Sequence, residues 1–488
     1  MLRITKRPIQ QAVAAAFQKG RPYEKQSVLE LVNSLAVFQA CSLPMLVHAT
    51  PTILSTAQKL GLRTPLNFVI KNTFFKVSVL TQHFCGGENL KEVLPTMTRL
   101  QENNIGAILD LAIEADLDAA TMTGDAARVH CEQMVLSIKE CVDIGARKPD
   151  SFIASKITAL FPPSMLLRWS TTLEEIRRDF TSIGGGAPLS FEQFEKMAAV
   201  KPLEKSFVRE MFTAASGVSK TVTFADINSI FSVHYPERLN SLVGYTKDGI
   251  TAEDIETATV VMPPIYTLCR YAQEQHVKIM MDAEQTYFQP AIDDIVLGLC
   301  AKFNDKLSSR FVQGKLNGPV IFNTYQMYLK NAFARLIEDV ERAQRMGYSI
   351  GAKVVRGAYM NTERKRALKN GYPSPINNTI DETHTSYNKG VTFLLETMAK
   401  NPKTDTSIKA IAFVVASHNK ESEMLTCQLM DQNFIPRSGG WVGFGQLMGM
   451  QDSQTFDLAA NGFMAYKVFS NNPVYSIWAS RSDYSLPA

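Results

Sequence analysis

No two cysteines of this chain stand in a CxxC spacing, and its histidines form no HExxH pair. The seven cysteines are scattered singly, which suits a reducing compartment and excludes a disulfide framework or a zinc site. No GxSxG turn leads from a strand candidate into a helix, as a nucleophile elbow would. Hydrolysis through a covalent serine or a metal is therefore not expected. An excess of one charge is also lacking, since 51 Lys and Arg against 47 Asp and Glu leave a net of +4. With no basic run interleaved with aromatics, that balance argues for no nucleic-acid partner. No apolar run reaches eighteen residues, so nothing in the sequence reads as a membrane-spanning helix.

Acids are missing from residues 1–23. That stretch carries Arg3, Lys6, Arg7, Lys19 and Arg21 around the helix-prone IQQAVAAAF, and the first carboxylate is Glu24. A mitochondrial transit peptide has this composition, so 1–23 is set apart from the fold. Residues 24–104 read mainly as helix, with breaks at Pro44, Pro51 and Pro65. Gly86 and Gly87, in FCGGENLKEVL, predict a loop feeding a helix.

From Ile105 a rhythm sets in. Short apolar runs, each closed by a polar residue and followed by a helical stretch, recur at 105–113, 152–160, 277–285, 320–329, 350–359, 410–419, 442–450 and 462–469. Such alternation predicts an α/β fold, a (β/α)8 TIM-type barrel over 105–488. A doubly wound sheet would carry a glycine-rich phosphate turn after its first strand, and GAILDLAIEADLD has none. Residues 161–276 exceed one crossover and predict a helical insertion. Within it DFTSIGGGAPLSFEQF has the outline of an EF-hand without the oxygen ligands that calcium needs, so no metal is expected.

In a barrel of this kind the working residues sit at the C-terminal ends of strands. Those ends read Asp110, Lys156, Asp282 with Glu284 and Gln285, Gln326, Arg356 with Tyr359, Ser417-His418-Asn419, and Gln446. The centre of the pattern is SIGAKVVRGAYMNTERKRA, from Ser349 to Ala367. Lys353 and Arg356 offer cations for an anion, and Gly357 and Ala358 leave room for a flat group against the backbone. A mouth rich in donors fits a phosphorylated or flat cofactor. Each of these residues also has a purely structural reading: Asp282 as a helix cap, Tyr359 as a core aromatic, His418 as a satisfied core histidine.

The segments VKIMMDAEQTYFQPAI, IFNTYQMYLK, AKVVRGAYMNTERKRA, VVASHN and GFGQLMGM together closely resemble the mitochondrial proline dehydrogenase family. The likeness begins near QHFCGGENLKEVLP and runs to about Met450. It implies a distorted barrel holding FAD and oxidising L-proline to pyrroline-5-carboxylate. Electrons would pass to ubiquinone, with peripheral contact at the matrix side of the inner mitochondrial membrane. Carried over position by position, Gln326, Lys353, Arg356, Gly357, Ala358, Ser417, His418 and Asn419 match the family's cofactor contacts. Lys156, Asp282, Tyr359 and Leu447 match residues around the substrate, and Asp282 is expected to pair with Lys156. Oligomeric state is left open.

The resemblance weakens in the tail, YSIWASRSDYSLPA. The family clamps the substrate carboxylate with two adjacent arginines. Here Arg481 stands at the first position and Ser482 at the second, Trp478 replaces a tyrosine three residues earlier, and Val468 replaces one at the end of the last strand. A guanidinium pair grips a carboxylate as one arginine and a hydroxyl do not. Two readings follow: a flavin-dependent proline dehydrogenase with a divergent carboxylate grip, or a barrel retained as a structural or regulatory subunit of a mitochondrial assembly. The altered pocket wall adds hydroxyproline as a further substrate to consider.

Overall fold

The computed structural model describes residues 90–111, 122–148, 150–199, 221–304, 318–400 and 411–470, with short pieces at 311–312 and 315–316 and isolated positions between 28 and 42 and between 209 and 213. The basic stretch 1–23, the Gly86–Gly87 loop and the tail from 471 onward, with Trp478, Arg481 and Ser482, lie outside the described residues.

The apolar runs become the eight strands of a closed parallel barrel. They are β1 (Ile105–Asp110), β2 (Phe152–Lys156), β3 (Lys278–Asp282), β4 (Ile321–Gln326), β5 (Ile350–Val355), β6 (Ile411–Ala416), β7 (Val442–Leu447) and β8 (Met464–Ser470). Their order around the barrel is β1-β8-β7-β6-β5-β4-β3-β2. Strands covered on both faces need near-continuous apolar character, and IAFVVA of β6 supplies it. Strand β4 is buried throughout although it reads IFNTYQ. Its polar groups are tolerated because each finds a partner: Asn323 donates to Asp293 at 3.1 Å, Thr324 to the Met281 carbonyl at 2.8 Å and Gln326 to the Glu284 carbonyl at 2.7 Å.

The helices that position the site are α1 (Leu90–Gln101), α2 (Gly124–Gly145), α3 (Pro163–Gly184), α4 (Phe191–Ala199), α5 (Phe224–Ile230), α6 (Ala252–Glu274), α7 (Gln289–Phe303), α8 (Ala332–Met346), α9 (Met360–Asn370), α10 (Ile380–Lys400), α11 (Lys420–Gln432) and α12 (Asp452–Ala460). Contacts divide the chain into two compact units, Met1–Ala112 with Phe444–Ala488, and Ile113–Gly443. In the first, β1 and β8 pair in register from Ile105↔Ala465 to Asp110↔Ser470, and α1 and α12 pack on β1. In the second, β2 to β6 pair in parallel, α6 lies along α2, and α3 packs on α7.

Between β2 and β3 the chain makes a detour with built ends. Helix α3 stops at Gly185, whose φ of 61° closes the helix in the left-handed region. Leu189 and Val222 then exchange both backbone hydrogen bonds, at 2.8 and 2.9 Å, in a one-residue antiparallel bridge. Helix α5 begins just after that bridge, under a capping box made by Thr223 and Asp226. A second capping box, Thr251 with Asp254, opens α6, and Arg168 of α3 grips the same Asp254 at 2.7 and 2.6 Å. Among the described residues no three His, Cys, Asp or Glu side chains gather as metal ligands.

Candidate active site

Strand β5 ends at Val355, and the chain passes through Arg356, Gly357, Ala358 and Tyr359 straight into α9. Gly357 has φ of 144°, which L side chains rarely adopt, and a Cβ there would lie 2.5 Å from the Tyr328 ring. The side of Gly357 on which a Cβ would stand is thus covered by the Tyr328 ring. Backbone bonds fix this contact: Tyr328 N–H donates to the Arg356 carbonyl at 2.8 Å, and Tyr359 N–H to the Tyr328 hydroxyl at 3.2 Å.

Arg356 is fixed on several sides. Its Nε donates to His384 Nδ1 at 3.1 Å, Nη1 to Ser417 Oγ at 2.6 Å and Nη2 to Ser422 Oγ at 3.0 Å. The guanidinium lies 4.3 Å from the ring centre of Tyr387, a cation–π contact. Ser417 Oγ also accepts from the Asn419 N–H at 3.0 Å, and Asn419 caps α11 by accepting from Ser422 N–H at 2.9 Å. His418 is half-buried between them. Burial, and then the charge of Arg356, hold the His384 imidazole below the usual histidine range.

On β3, Asp282 forms an ion pair with Lys353 of β5. The sequence suggested Lys156 as its partner, and those two residues are indeed in register across β2 and β3. The ion pair goes to Lys353 because inward side chains of alternate barrel strands share one layer, and β3 and β5 alternate. Beyond Asp282, Glu284 is 4% exposed and accepts from Thr158 twice, at 3.1 Å from the backbone and 2.6 Å from the hydroxyl. Burial pushes its carboxyl up, against the Thr158 bonds and the charge of Lys156.

Gln326 ties three strand ends together. Its Nε2 reaches the Glu284 carbonyl beyond β3, and its Oε1 accepts from Ala358 N–H beyond β5 at 3.2 Å. Glu363, fully buried in the first turn of α9, accepts from Thr286 N–H at 2.5 Å and from its hydroxyl at 2.7 Å. Gln326 and Ala358 thus meet in one strand-end contact, Lys353 and Asp282 in a second, and Arg356, Ser417 and Asn419 in a third. Tyr359 stands half-buried at the start of α9. Leu447 ends β7 in the other unit, where its carbonyl accepts from Lys467 at 3.3 Å.

Sequence reasoning missed Tyr328, His384, Tyr387, Ser422 and Glu363. A cavity of about 700 Å³, lined by residues such as Arg177, Phe224, Asp293, Arg335 and Tyr372, is lined by none of Gln326, Lys353, Arg356 or Ser417. Two of its charged lining residues, Arg335 and Asp293, form an ion pair with each other.

A parallel barrel that gathers a guanidinium, an ammonium–carboxylate pair and a buried amide at its strand ends is equipped to hold a small charged substrate beside an anionic or flat cofactor. The chain belongs to the proline dehydrogenase family, whose model, described as Proline dehydrogenase, matches residues 93–477. It is 29% identical over 520 residues to a human protein named Proline dehydrogenase 1, mitochondrial, covering 93% of this chain and 83% of that one. A Dictyostelium discoideum protein of the same name is 30% identical over 458 residues, covering 93% of this chain and 68% of that one. A Xenopus laevis protein named Hydroxyproline dehydrogenase is 26% identical over 465 residues, covering 95% and 84%. Among solved structures, proline utilization A from Bdellovibrio bacteriovorus, inactivated by N-propargylglycine, superposes with a TM-score of 0.58 at 14% identity. That likeness shows the fold, and it covers 97% of this chain and 41% of the other.

Proposed function

We propose that the protein is an FAD-dependent proline dehydrogenase that oxidises L-proline to pyrroline-5-carboxylate and passes the electrons to ubiquinone. We place it in the mitochondrion, in peripheral contact with the matrix side of the inner membrane. Family membership supports a redox enzyme acting on proline, and the names of the relatives and the acid-free 1–23 stretch support the compartment. The observation that carries the reading is the strand-end constellation of Lys353, Asp282, Gln326 and Arg356. Its donor set suits a flavin, because a guanidinium and an ammonium face phosphate or an electron-rich ring edge equally well.

When bound, the flavin supplies the hydride acceptor for the carbon beside the proline nitrogen. In this reading Arg356 and Lys353 hold the cofactor, with Gln326, Gly357, Ala358, Ser417, His418 and Asn419 around it. Asp282, ion-paired with Lys353, and Lys156 set the charge around the substrate ring, which must present an uncharged nitrogen. Tyr359 and Leu447 wall the pocket, and Arg481, Trp478 and Ser482 complete the carboxylate end. Ser482 favours a second reading, a barrel that keeps its flavin but grips proline weakly. The loss of one charge-assisted contact costs about 2–5 kcal/mol of binding.

The test is the absorbance spectrum of gently purified protein, followed by anaerobic addition of millimolar L-proline. Flavin bands that proline bleaches are expected. Bands that neither proline nor trans-4-hydroxy-L-proline bleaches favour the second reading, and bleaching by hydroxyproline alone redirects the substrate. Colourless protein overturns both. Ser482→Arg should raise the apparent affinity for proline by about one and a half to four decades, and an unchanged value sinks the clamp argument.

A further inference from the structure

We propose that His384 is a positioning residue for the cofactor: as a neutral imidazole it accepts the Arg356 Nε proton, fixes the plane of the guanidinium, and lets go when it is protonated. The inference rests on the flavin reading above. Its basis is a contact with only one chemical interpretation. A guanidinium nitrogen donates and never accepts, so the 3.1 Å bond from Arg356 Nε requires a bare lone pair on His384 Nδ1. The ring proton therefore sits on Nε2.

Besides His384, Arg356 donates to the Ser417 and Ser422 hydroxyls, which can rotate and stay uncharged across the accessible pH range. The imidazole cannot do so. A second proton removes its acceptor and sets two cations against each other, which turns an orienting contact into a repulsive one. Three charged groups bear on the ring. Arg356, from the end of β5, opposes protonation, whereas Asp381 on α10 and Glu421 at the start of α11 favour it. Burial adds to the opposition, so the ring stays neutral at neutral pH and takes a second proton only at a more acid pH than an ordinary histidine.

Such a role predicts something that mere packing would not: flavin affinity that weakens on acidification through this one histidine. Dissociation constants for FAD, read by quenching of flavin fluorescence between about pH 5 and about pH 8, would be compared for wild type, His384→Asn and His384→Ala. In wild type the affinity should fall about tenfold toward the acid end. His384→Asn keeps an acceptor that cannot titrate, so its affinity should match wild type at neutral pH and stay flat. His384→Ala should bind about tenfold more weakly throughout. Nitrogen NMR of the flavin-free protein supplies a second readout, with the His384 signal assigned by its loss in His384→Asn. It should report the Nε2–H tautomer, titrating below an ordinary histidine and moving up toward the ordinary value in Arg356→Lys.

A His384→Asn variant that keeps the wild-type acid loss overturns the proposal, as does an Nδ1–H tautomer. Protein that binds no flavin at any pH sinks the functional reading and this role with it. Normal binding with an insensitive histidine sinks this role alone.

Discussion

Lys467, in the middle of β8, and Arg356, just past the end of β5, are both cations on barrel strands, one in each compact unit, and they are held by different chemistry. Lys467 on β8 is 2% exposed. Its Nζ lies 2.7 Å from Asp452 Oδ1, 2.7 Å from the Met450 carbonyl and 3.3 Å from the Leu447 carbonyl. A carboxylate thus faces the charge, and the turn joining β7 to α12 wraps the ammonium. Arg356 is half-buried, and the bonds described for it go to an imidazole and two hydroxyls, with a tyrosine ring across its face. An imidazole and two hydroxyls fix the plane of a guanidinium without themselves carrying a charge, and fixed orientation is what a binding or catalytic site needs. The first cation organises a turn, and the second is held in plane.

The contrast is broken most readily at Lys467. Lys467→Met keeps the length and removes the charge, leaving Asp452, 19% exposed, without its partner. Breaking one side of a buried pair costs about 3–5 kcal/mol, read as a lower urea midpoint. A loss below about 1 kcal/mol would mean that this ammonium is no more structural than a surface lysine. Gly357→Ala comes next, at about 2–4 kcal/mol, because it combines strain at a positive φ with a clash on Tyr328. Adding Tyr328→Leu should restore only the steric part. Full recovery in the double variant would show that the backbone angle is unstrained.

Much of the barrel was legible because parallel strands buried on both faces announce themselves as apolar runs, and all eight runs became strands. The strand-end rule then picked out Asp282, Gln326, Arg356 and Ser417 without any geometry. What it could not supply was partnership. Asp282 pairs with Lys353 across one intervening strand, and that choice depends on barrel layering rather than on sequence distance. His384 meets Arg356 only because α9 and the segment after it bring α10 back over the strand ends, and nothing about a histidine 28 residues downstream signals that. Tyr328, whose ring covers the Cβ side of Gly357, was equally out of reach, since a sequence does not say which ring lies against a glycine. The Lys467 cluster was invisible for a related reason: two of its acceptors are carbonyls, which every residue carries.

The smallest effect on stability is the most discriminating. Arg356→Lys keeps the charge and loses the planar fork, so two of the three bonds must go. Neither serine is left stranded. Ser422 Oγ still donates to Asn388 Oδ1 at 2.7 Å, and Ser417 Oγ still accepts from Asn419 N–H at 3.0 Å. His384 is only half-buried, so water can replace the lost donor. The unfolding free energy should therefore fall by about 1 kcal/mol or less, well short of the loss at Lys467. Flavin affinity should fall further than stability does, by about tenfold, because a fork matched to an anion has become a point charge. If Arg356→Lys instead unfolds the protein as readily as Lys467→Met does, the guanidinium is a structural brace. Its imidazole and hydroxyl partners would then serve packing rather than orientation.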